Sequence, residues 1–454
     1  MALSVIILAA GQGTRMKSRL PKVLHPLAGR PMLEHVYAAT ERFPAAEVHI
    51  VYGHGGERVR EALGHLKARW VEQARQLGTG HAVMQAMPSV KPASTALILY
   101  GDVPLITHAT LQRLVDAAGR SDLALLTVRL EDPTGYGRIV RDSHGNVQRI
   151  VEQKDASESE QAIHEVNTGM MAVNAKLLRG WVDRLSNSNA QKEYYLTDVI
   201  EMAVADKVRI NTVSPESPFE VMGVNDRAQL AELERHYQFG RAQQLMRQGV
   251  TLHDPSRFDL RGELEVGQDV TIDVNVVIEG RVKLGNRVSV GPNNVLRNVS
   301  IGDDVTILAN CVVEDATVGD GARLGPFARI RPDTVLGADV HVGNFVEVKK
   351  SVIARGSKLN HLSYIGDAEI GSNTNIGAGT ITCNYDGAHK HKTIIGDDVF
   401  IGSDCQLVAP VRVGDGATLG AGTTLAKDAP AGKLTISRVR QQVVDNWQRP
   451  RKKK

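Results

Sequence analysis

Val266-Gly-Gln-Asp-Val-Thr-Ile272-Asp-Val-Asn-Val-Val-Ile278-Glu-Gly-Arg-Val-Lys-Leu284-Gly285 carries an aliphatic residue at every sixth position, and this spacing decides the fold of the second half of the chain. The series runs on through Val290, Leu296, Ile301, Ile307, Val313, Val318, Leu324, Ile330, Leu336, Val342, Val348, Ile353, Leu359, Ile365, Ile370 and Ile376. After an insertion it resumes at Ile395, Ile401, Leu407, Val413 and Leu419, with Thr382 as the one polar exception. Glycine directly follows many anchors, among them Gly267, Gly285, Gly302, Gly325, Gly343, Gly371, Gly402 and Gly420. A helix, with about 3.6 residues per turn, would sweep such anchors around every face. A period of six with small residues beside the anchors predicts a parallel β-helix of hexapeptide repeats, three short strands to a coil.

The irregularities sharpen this. The spacing falls to five after Leu296, Val313, Val348 and Ile365, and these slips lie 17, 35 and 17 residues apart. Such separations are one, two and one coils of 18 residues, each separation shortened by one residue, so all four slips are expected on one corner of a three-sided prism. The insertion at 384–392 begins where the next slip would fall and is expected to project from that corner. An insertion confined to one corner of a solenoid marks a site. By this register Arg331, Lys349 and Tyr364 lie one or two coils from His361, so that two cations and a hydroxyl can gather on one face and hold a phosphate. Asn384 and Tyr385 open the insertion. After Leu425 the period ends, and the chain closes in a basic run, Arg449-Pro-Arg-Lys-Lys-Lys454, read as a solvated tail.

At 454 residues the chain exceeds one ordinary core, so at least two domains are expected. Aromatic residues are 4% of it, which suits a narrow prism filled by Val, Ile and Leu. A formal net charge of +3 argues against nucleic acid or an acidic membrane surface as partner. Cys311, Cys383 and Cys405 are odd in number, lack metal-ligand spacing and read as small coil residues, Cys383 being expected in the buried interior. With no apolar run approaching ~18 residues, a soluble cytoplasmic protein without membrane contact is expected.

The first half alternates strands (4–10, 48–52, 96–100, 123–128) with helical stretches (32–42, 110–118), which predicts a mainly parallel α/β sheet binding its ligand at the carboxyl ends of strands. Its first strand runs into Gly11-Gln-Gly13, whose backbone N–H groups can approach phosphates, with Arg15 and Lys22 close by in sequence. A tight strand-to-helix turn would need the same glycines. Asp102 follows a buried strand in Tyr100-Gly-Asp, at the edge where such sheets bind ligands. Residues 226–249 read as a connecting helix, with Leu230, Leu233, Tyr237, Leu245 and Met246 near one face and Gly249 as its stop. The expected organisation is therefore an α/β domain over 1–225, a linker helix over 226–250 and a β-helix with its tail over 251–454.

Leu8-Ala-Ala-Gly-Gln-Gly-Thr-Arg-Met16 followed by Pro21-Lys-Val-Leu24 resembles the signature of sugar-1-phosphate nucleotidylyltransferases. Gln73, Gln76-Leu-Gly-Thr-Gly-His81, Tyr100-Gly-Asp-Val-Pro104, Gly135-Tyr-Gly-Arg138, Val151-Glu152, Asn167-Thr-Gly169 and Gly223-Val-Asn225 extend the match. Together with the hexads, the whole chain resembles the bacterial bifunctional N-acetylglucosamine-1-phosphate uridyltransferase/glucosamine-1-phosphate acetyltransferase family. The resemblance implies a Rossmann-like nucleotidyltransferase domain, a left-handed β-helix and a homotrimer with sites built between subunits. Left-handed coiling comes from the resemblance alone, since crossover connections ordinarily favour the right hand.

For the first half the resemblance implies attack of a sugar phosphate on UTP with loss of pyrophosphate. Leu8, Ala9, Ala10, Gly11, Lys22, Gln73, Gly78, Thr79, Tyr100 and Gly101 would hold the nucleotide, and Gly137, Glu152 and Asn167 the N-acetylglucosamine group. Asp102 and Asn225 would bind Mg²⁺, for which a few hard oxygen ligands suffice, while Arg15 and Lys22 stabilise the transferring phosphates. For the second half it implies direct acetyl transfer from acetyl-CoA to glucosamine-1-phosphate, with His361 taking a proton from the amine. Arg331, Lys349, Tyr364 and Asn375 would bind that sugar phosphate. Ala378, Asn384, Tyr385, Ser403, Ala421 and Arg438 would bind the coenzyme. Two other readings stand beside this one: a monofunctional nucleotidylyltransferase with a purely structural prism, and a non-catalytic sugar-nucleotide sensor.

Overall fold

The computed structural model describes every residue except Met1, Gln12, His54, Ala190, Lys453 and Lys454, so the middle of the glycine loop and the last two residues of the basic tail lie outside the described residues. Contacts divide the chain into two compact units, Met1–Tyr237 and Gln238–Lys454. Among the described residues no helix is long and apolar enough to cross a membrane.

The first unit is built on a sheet with the strand order Ile210–Val213, Leu123–Arg129, Glu165–Asn174, Ser94–Tyr100, Ala2–Ala9, Glu47–Tyr52, Arg69–Glu72. Neighbours run parallel except at Glu165–Asn174, which is antiparallel to both of its partners, so the sheet is mixed where a mainly parallel one was expected. Alternation along Ala2–Ala9 sends Val5 and Ile7 into one core and Ile6 and Leu8 into the other. Helices Met32–Thr40 and His108–Ala118 cover the first face, and Thr79–Ala86, Ala175–Val182 and Asp198–Ala205 the second. Burial on both faces explains why the central strands Ala2–Ala9 and Ser94–Tyr100 read as near-continuous apolar runs. A two-stranded flap, Arg138–Arg141 and Val147–Val151, joins the sheet through Arg138 and Val166.

A helix follows at Arg227–Arg247. Asp226 caps it by accepting hydrogen bonds from the amides of Ala228 and Gln229, 2.9 Å each. Gly249, with φ of 99°, closes it while the Val250 amide returns to the Leu245 carbonyl, the Schellman arrangement. Leu233 is buried in the first unit, and Ala242 and Leu245 in the second, so the division between units falls within the helix. Met246, expected on the apolar face, is exposed, because the buried stripe passes through Gln238, Ala242 and Leu245 instead.

The second unit is a left-handed parallel β-helix. One wall is an 11-stranded sheet, and a 17-stranded sheet bends around the other two. Coil-to-coil partners such as Val277 with Val295 and Val295 with Val312 show steps of 18 or 17 residues. The aliphatic anchors fill the prism, with Leu296, Ile330, Val348, Ile365 and Leu407 fully buried. All four slips fall on one corner, as between strands Val295–Arg297 and Ser300–Ile301 or Tyr364–Gly366 and Ala368–Ile370. The insertion leaves that same corner, between Ile381–Cys383 and Thr393–Ile395. Thr382 is tolerated at an anchor position because its hydroxyl accepts from the Gly366 amide at 2.8 Å and donates to the Gly366 carbonyl at 3.0 Å.

Two expectations need correction here. Cys311 and Cys405 are buried, but Cys383 is half-buried, because strand alternation next to the inward Thr382 turns it outward. The coil also outlasts Leu425: Leu434–Thr435 adds a further strand, paired with Thr418–Leu419, although its sequence has left the hexad period.

Candidate active sites

In the first unit the carboxyl ends of Ala2–Ala9, Arg69–Glu72 and Ser94–Tyr100 open on one cleft of about 430 Å³. Leu8, Ala9, Ala10, Gly11, Lys22, Gln73, Gly78, Thr79, Tyr100 and Asp102 all line it. Helix Thr79–Ala86 starts at its wall, and Gly78 adopts φ of 105° there with the Tyr194 backbone so near that a Cβ would lie 2.6 Å from its carbonyl oxygen. Gln73 is buried and reaches the Gly78 carbonyl at 3.1 Å, fixing the loop against the strand end. The cleft also takes in Val23, Gln76, Ala82 and Glu193. Gln76 and Ala82 lie in or beside a motif already noted, whereas nothing in the sequence around Glu193 pointed to it.

At one end of the cleft two oxygens converge on a single cationic nitrogen. Lys22 Nζ forms an ion pair with Asp102 and lies 3.4 Å from Asn225 Oδ1, which also accepts from Arg15 at 2.8 Å. Gly13 makes this possible: its φ is 61°, and a Cβ there would sit 2.7 Å from Lys22 Cβ. The Val224 amide donates to the Asp102 carbonyl at 2.9 Å, and the Gly101 amide to the Leu8 carbonyl at 2.9 Å, so four segments are laced together. A carboxylate and an amide oxygen are hard donors, and their convergence on a cation fits a small divalent ion. Among the described residues no group of three or more His, Cys, Asp or Glu side chains is placed to hold a metal.

Gly137, Glu152 and Asn167, which are not among the residues lining this cleft, come together with one another. The Asn167 amide donates to the Gly137 carbonyl at 2.8 Å, and a Cβ on Gly137 would lie 3.5 Å from Glu152 Oε2. Burial raises the Glu152 carboxyl above its usual range, opposed by a 3.1 Å hydrogen bond from Thr197. Tyr100 lines the cleft and lies within electrostatic reach of Glu152: burial first, then the charges of Asp102 and Glu152, push its phenol up. It fits because the strand pairing shifts register between Asn167 and Met171, leaving Gly169 (φ 83°) where a Cβ would lie 2.5 Å from the Tyr100 ring. Asp198, to which no motif pointed, is raised to about 6 by burial and by Glu201, Glu152 and Asp155.

In the second unit the candidates fall into two groups, at the two edges of the wall that holds Tyr364–Gly366. At its insertion edge a column of side chains alternates in charge: Arg261, Glu279, Arg297 and Glu314 face one another in register and form ion pairs. The next two coils place Arg331 and then Lys349 in this column, so the alternation breaks with two cations in succession. Lys390, from the insertion, adds a third. Its proximity, then burial, hold the Lys349 ammonium below its ordinary range, with Asp367 opposing and Arg331 adding. Arg331 pairs with Glu347 at 2.7 Å and lies within electrostatic reach of Tyr364. A Cβ on Gly366 would lie 2.5 Å from the Tyr364 hydroxyl and 2.8 Å from Asn384 Nδ2, so glycine lets both converge. Asn384 is buried and donates to Asp367 at 2.6 Å, while Tyr385 is exposed and donates to the Gly387 carbonyl at 2.6 Å. Surplus positive charge beside a hydroxyl and an amide is a receptor for phosphate.

The opposite edge carries a second column. Register stacks His361, Ala378, Ser403 and Ala421 at one corner in successive coils, and Arg438 packs across Gly420 and Gly422 beyond them. His361 is exposed there. Asn375 stands on the adjoining wall between Lys358 and Phe400. One chain therefore assembles the cation cluster and a column of small residues headed by an imidazole, and leaves them on separate edges.

A nucleotidyltransferase fold with its cleft, followed by a hexapeptide prism, defines a transferase with two sites. A MobA-like NTP transferase domain model matches residues 5–194, a GMPPB C-terminal domain model matches 260–346 and 325–407, and a bacterial transferase hexapeptide model matches 392–427. Bifunctional protein GlmU of Methylococcus capsulatus is 59% identical over 453 residues, covering 100% of this chain and 98% of that protein. The GlmU proteins of Aromatoleum aromaticum and Stutzerimonas stutzeri are 60% and 59% identical, with 100% of this chain and 99% and 100% of theirs covered. The chain belongs to the bifunctional GlmU family, and it is an enzyme, a uridyltransferase joined to an acetyltransferase.

Proposed function

We propose that the chain acetylates glucosamine-1-phosphate with acetyl-CoA in its β-helix and then joins the N-acetylglucosamine-1-phosphate to UTP in its first domain, releasing pyrophosphate and UDP-N-acetylglucosamine. What carries this reading is the presence of two separate receptors for phosphate, one around Lys22 and Asp102 and one around Arg331, Lys349 and Lys390. The domains are assigned as 1–225 for uridylyl transfer, 226–250 as linker and 251–454 for acetyl transfer, in the cytoplasm.

In the cleft, the nucleotide lies on Leu8 to Gly11, Gln73, Gly78, Thr79 and Gly101, and the sugar on Gly137, Glu152 and Asn167. Asp102 and Asn225 would hold Mg²⁺, which would supply neutralisation of phosphate charge. Lys22 and Arg15 serve the triphosphate and the departing pyrophosphate. Tyr100, kept protonated by its surroundings, donates rather than repels at the junction of the two substrates.

In the prism, Arg331, Lys349, Tyr364 and Asn375 bind the sugar phosphate. Asn384 and Tyr385 lie at the reacting end, and Ala378, Ser403, Ala421 and Arg438 along the coenzyme. His361 accepts the proton that the amine loses as it attacks the thioester. The split between the two edges favours a homotrimer in which the cation cluster of one copy serves the imidazole of its neighbour. A ridge supports this: Phe327, Phe345 and Leu362 are exposed, although each occupies a left-handed corner position, with φ of 57°, 55° and 48°. Asn, Asp or Gly fills the equivalent corner in the other coils, at 293, 310, 379, 404 and 422. Three bulky apolar residues in a conformation that costs about 1–2 kcal/mol each are retained where another surface covers them.

The test is incubation with glucosamine-1-phosphate, acetyl-CoA, UTP and Mg²⁺, following free thiol and pyrophosphate together. Thiol release needs only the amino sugar phosphate and acetyl-CoA, and pyrophosphate release needs UTP, metal and the acetylated sugar. Pyrophosphate formed from N-acetylglucosamine-1-phosphate with no thiol release from the amino sugar would reduce the prism to a structural role.

A further inference from the structure

Along the corner that bears His361, the residue before each left-handed turn is Pro292, Ala309, Pro326, Asn344, His361, Ala378, Ser403 and Ala421 in successive coils. Large hydrogen-bonding side chains occur at two adjacent coils of this column and nowhere else in it. Asn344 and His361 are partners in the strand register, and His361 Nδ1 lies 3.2 Å from Asn344 Oδ1. Among the described residues no other side chain hydrogen-bonds to the ring. Each residue is followed by a bulky one, Phe345 and Leu362, held at positive φ.

We infer that Asn344 is the positioning residue of the acetyl-transfer base. An amide oxygen only accepts, so the contact requires the proton to sit on Nδ1 and leaves the Nε2 lone pair free. In the reaction the amine nitrogen forms a bond to the thioester carbonyl carbon, the C–S bond breaks and the thiolate leaves. The nitrogen gives one proton to Nε2, and that proton passes from the imidazolium to the thiolate or to water. A carboxylate in place of Asn344 would also orient the ring, but it would favour the imidazolium and keep the base protonated to higher pH. The neutral amide sets tautomer and direction without that penalty. Ala378, on the other side of the ring in the column, is too small to compete for it.

The inference rests on His361 being the base, and the experiment separates the two. His361→Ala, Asn344→Leu, Asn344→Ser and Asn344→Asp are compared in the full chain, with uridylyl transfer as the control for folding. Asn344→Leu is expected to lower kcat for acetyl transfer by about 10- to 100-fold, part of the ~10²–10⁴ that a general base supplies, with KM for the amino sugar phosphate little changed. Asn344→Ser restores part of it. Asn344→Asp moves the alkaline-going rise of kcat/KM to higher pH by about one pH unit or more. If Asn344→Leu keeps kcat within about twofold, or Asn344→Asp leaves the pH profile in place, while His361→Ala is inactive, the positioning role is overturned and the base remains. If His361→Ala still transfers acetyl groups, the base assignment fails first.

Discussion

The two candidate sites are built on opposite plans. In the first unit, sheet strands bring their carboxyl ends to one edge, so that residues from positions 8 to 225 in sequence converge around one cleft. There Lys22 is paired in charge with Asp102, and Arg15 is held by a hydrogen bond to the neutral Asn225 amide oxygen. In the second unit, every coil repeats the same path, and residues line up in columns that never cross a wall. A prism can extend a column indefinitely, as with Ala378, Ser403 and Ala421, but it cannot fold one edge onto another. A site of that kind fits the proposed completion by a neighbouring copy, and its cations, Arg331, Lys349 and Lys390, gather side by side with Arg331 paired to Glu347.

The largest test of this contrast is Asp102→Ala. Removing the carboxylate that meets Lys22 is expected to cut uridylyl transfer by on the order of 10²–10³ or more, with acetyl transfer unchanged. Loss of both in a folded protein would mean that the sites depend on one another. Phe345→Asp attacks the other plan. Placing a charge on the apolar ridge that the proposed assembly would cover is expected to cost about 2 kcal/mol or more, roughly 30-fold in assembly. Light scattering is then expected to show dissociation, with acetyl transfer lost and uridylyl transfer kept. Full acetyl transfer by a monodisperse monomer would show that a single chain holds a complete site.

Lys349→Met sharpens the account of charge. It deletes one of the consecutive cations and is expected to raise KM for glucosamine-1-phosphate about tenfold with a smaller change in kcat, as loss of a charge-assisted phosphate contact does. A change confined to kcat would place the lysine elsewhere. The smallest effect belongs to stability. His49 is fully buried beside the central strand with neither ring nitrogen bonded, and burial, with Arg69 adding, lowers its pKa below the ordinary value. The unfolded chain therefore takes up a proton that the folded one refuses. Stability is full above about pH 6.5 and falls as pH drops towards the folded value, by at most about 1.4 kcal/mol per pH unit. In His49→Phe, denaturant melts of the first unit between pH 7 and pH 5 should show a shallower slope, while the β-helix transition stays as in the parent.

Much of this was legible in the chain. Hexads specify a prism because each anchor must face inward at a fixed fraction of a coil, and the four slips located the corner from which the insertion leaves. The strand-to-glycine run at Leu8 to Gly13 located the cleft because ligand-binding loops follow strands of this kind. Less legible was anything that depends on pairs distant in sequence. The direction of strand Glu165–Asn174 was not legible, since the side-chain pattern of a strand is the same whichever way it runs. Glu193 and Asp198 carry no local signature, and Cys383 faces out because of its phase within the coil. Period, burial and the residues able to do chemistry were thus settled by the order of amino acids, which local geometry reads directly. Which of those residues meet, on which edge, and where like charges gather was settled by the fold, because strand direction and coil register bring together side chains that no short stretch of sequence connects.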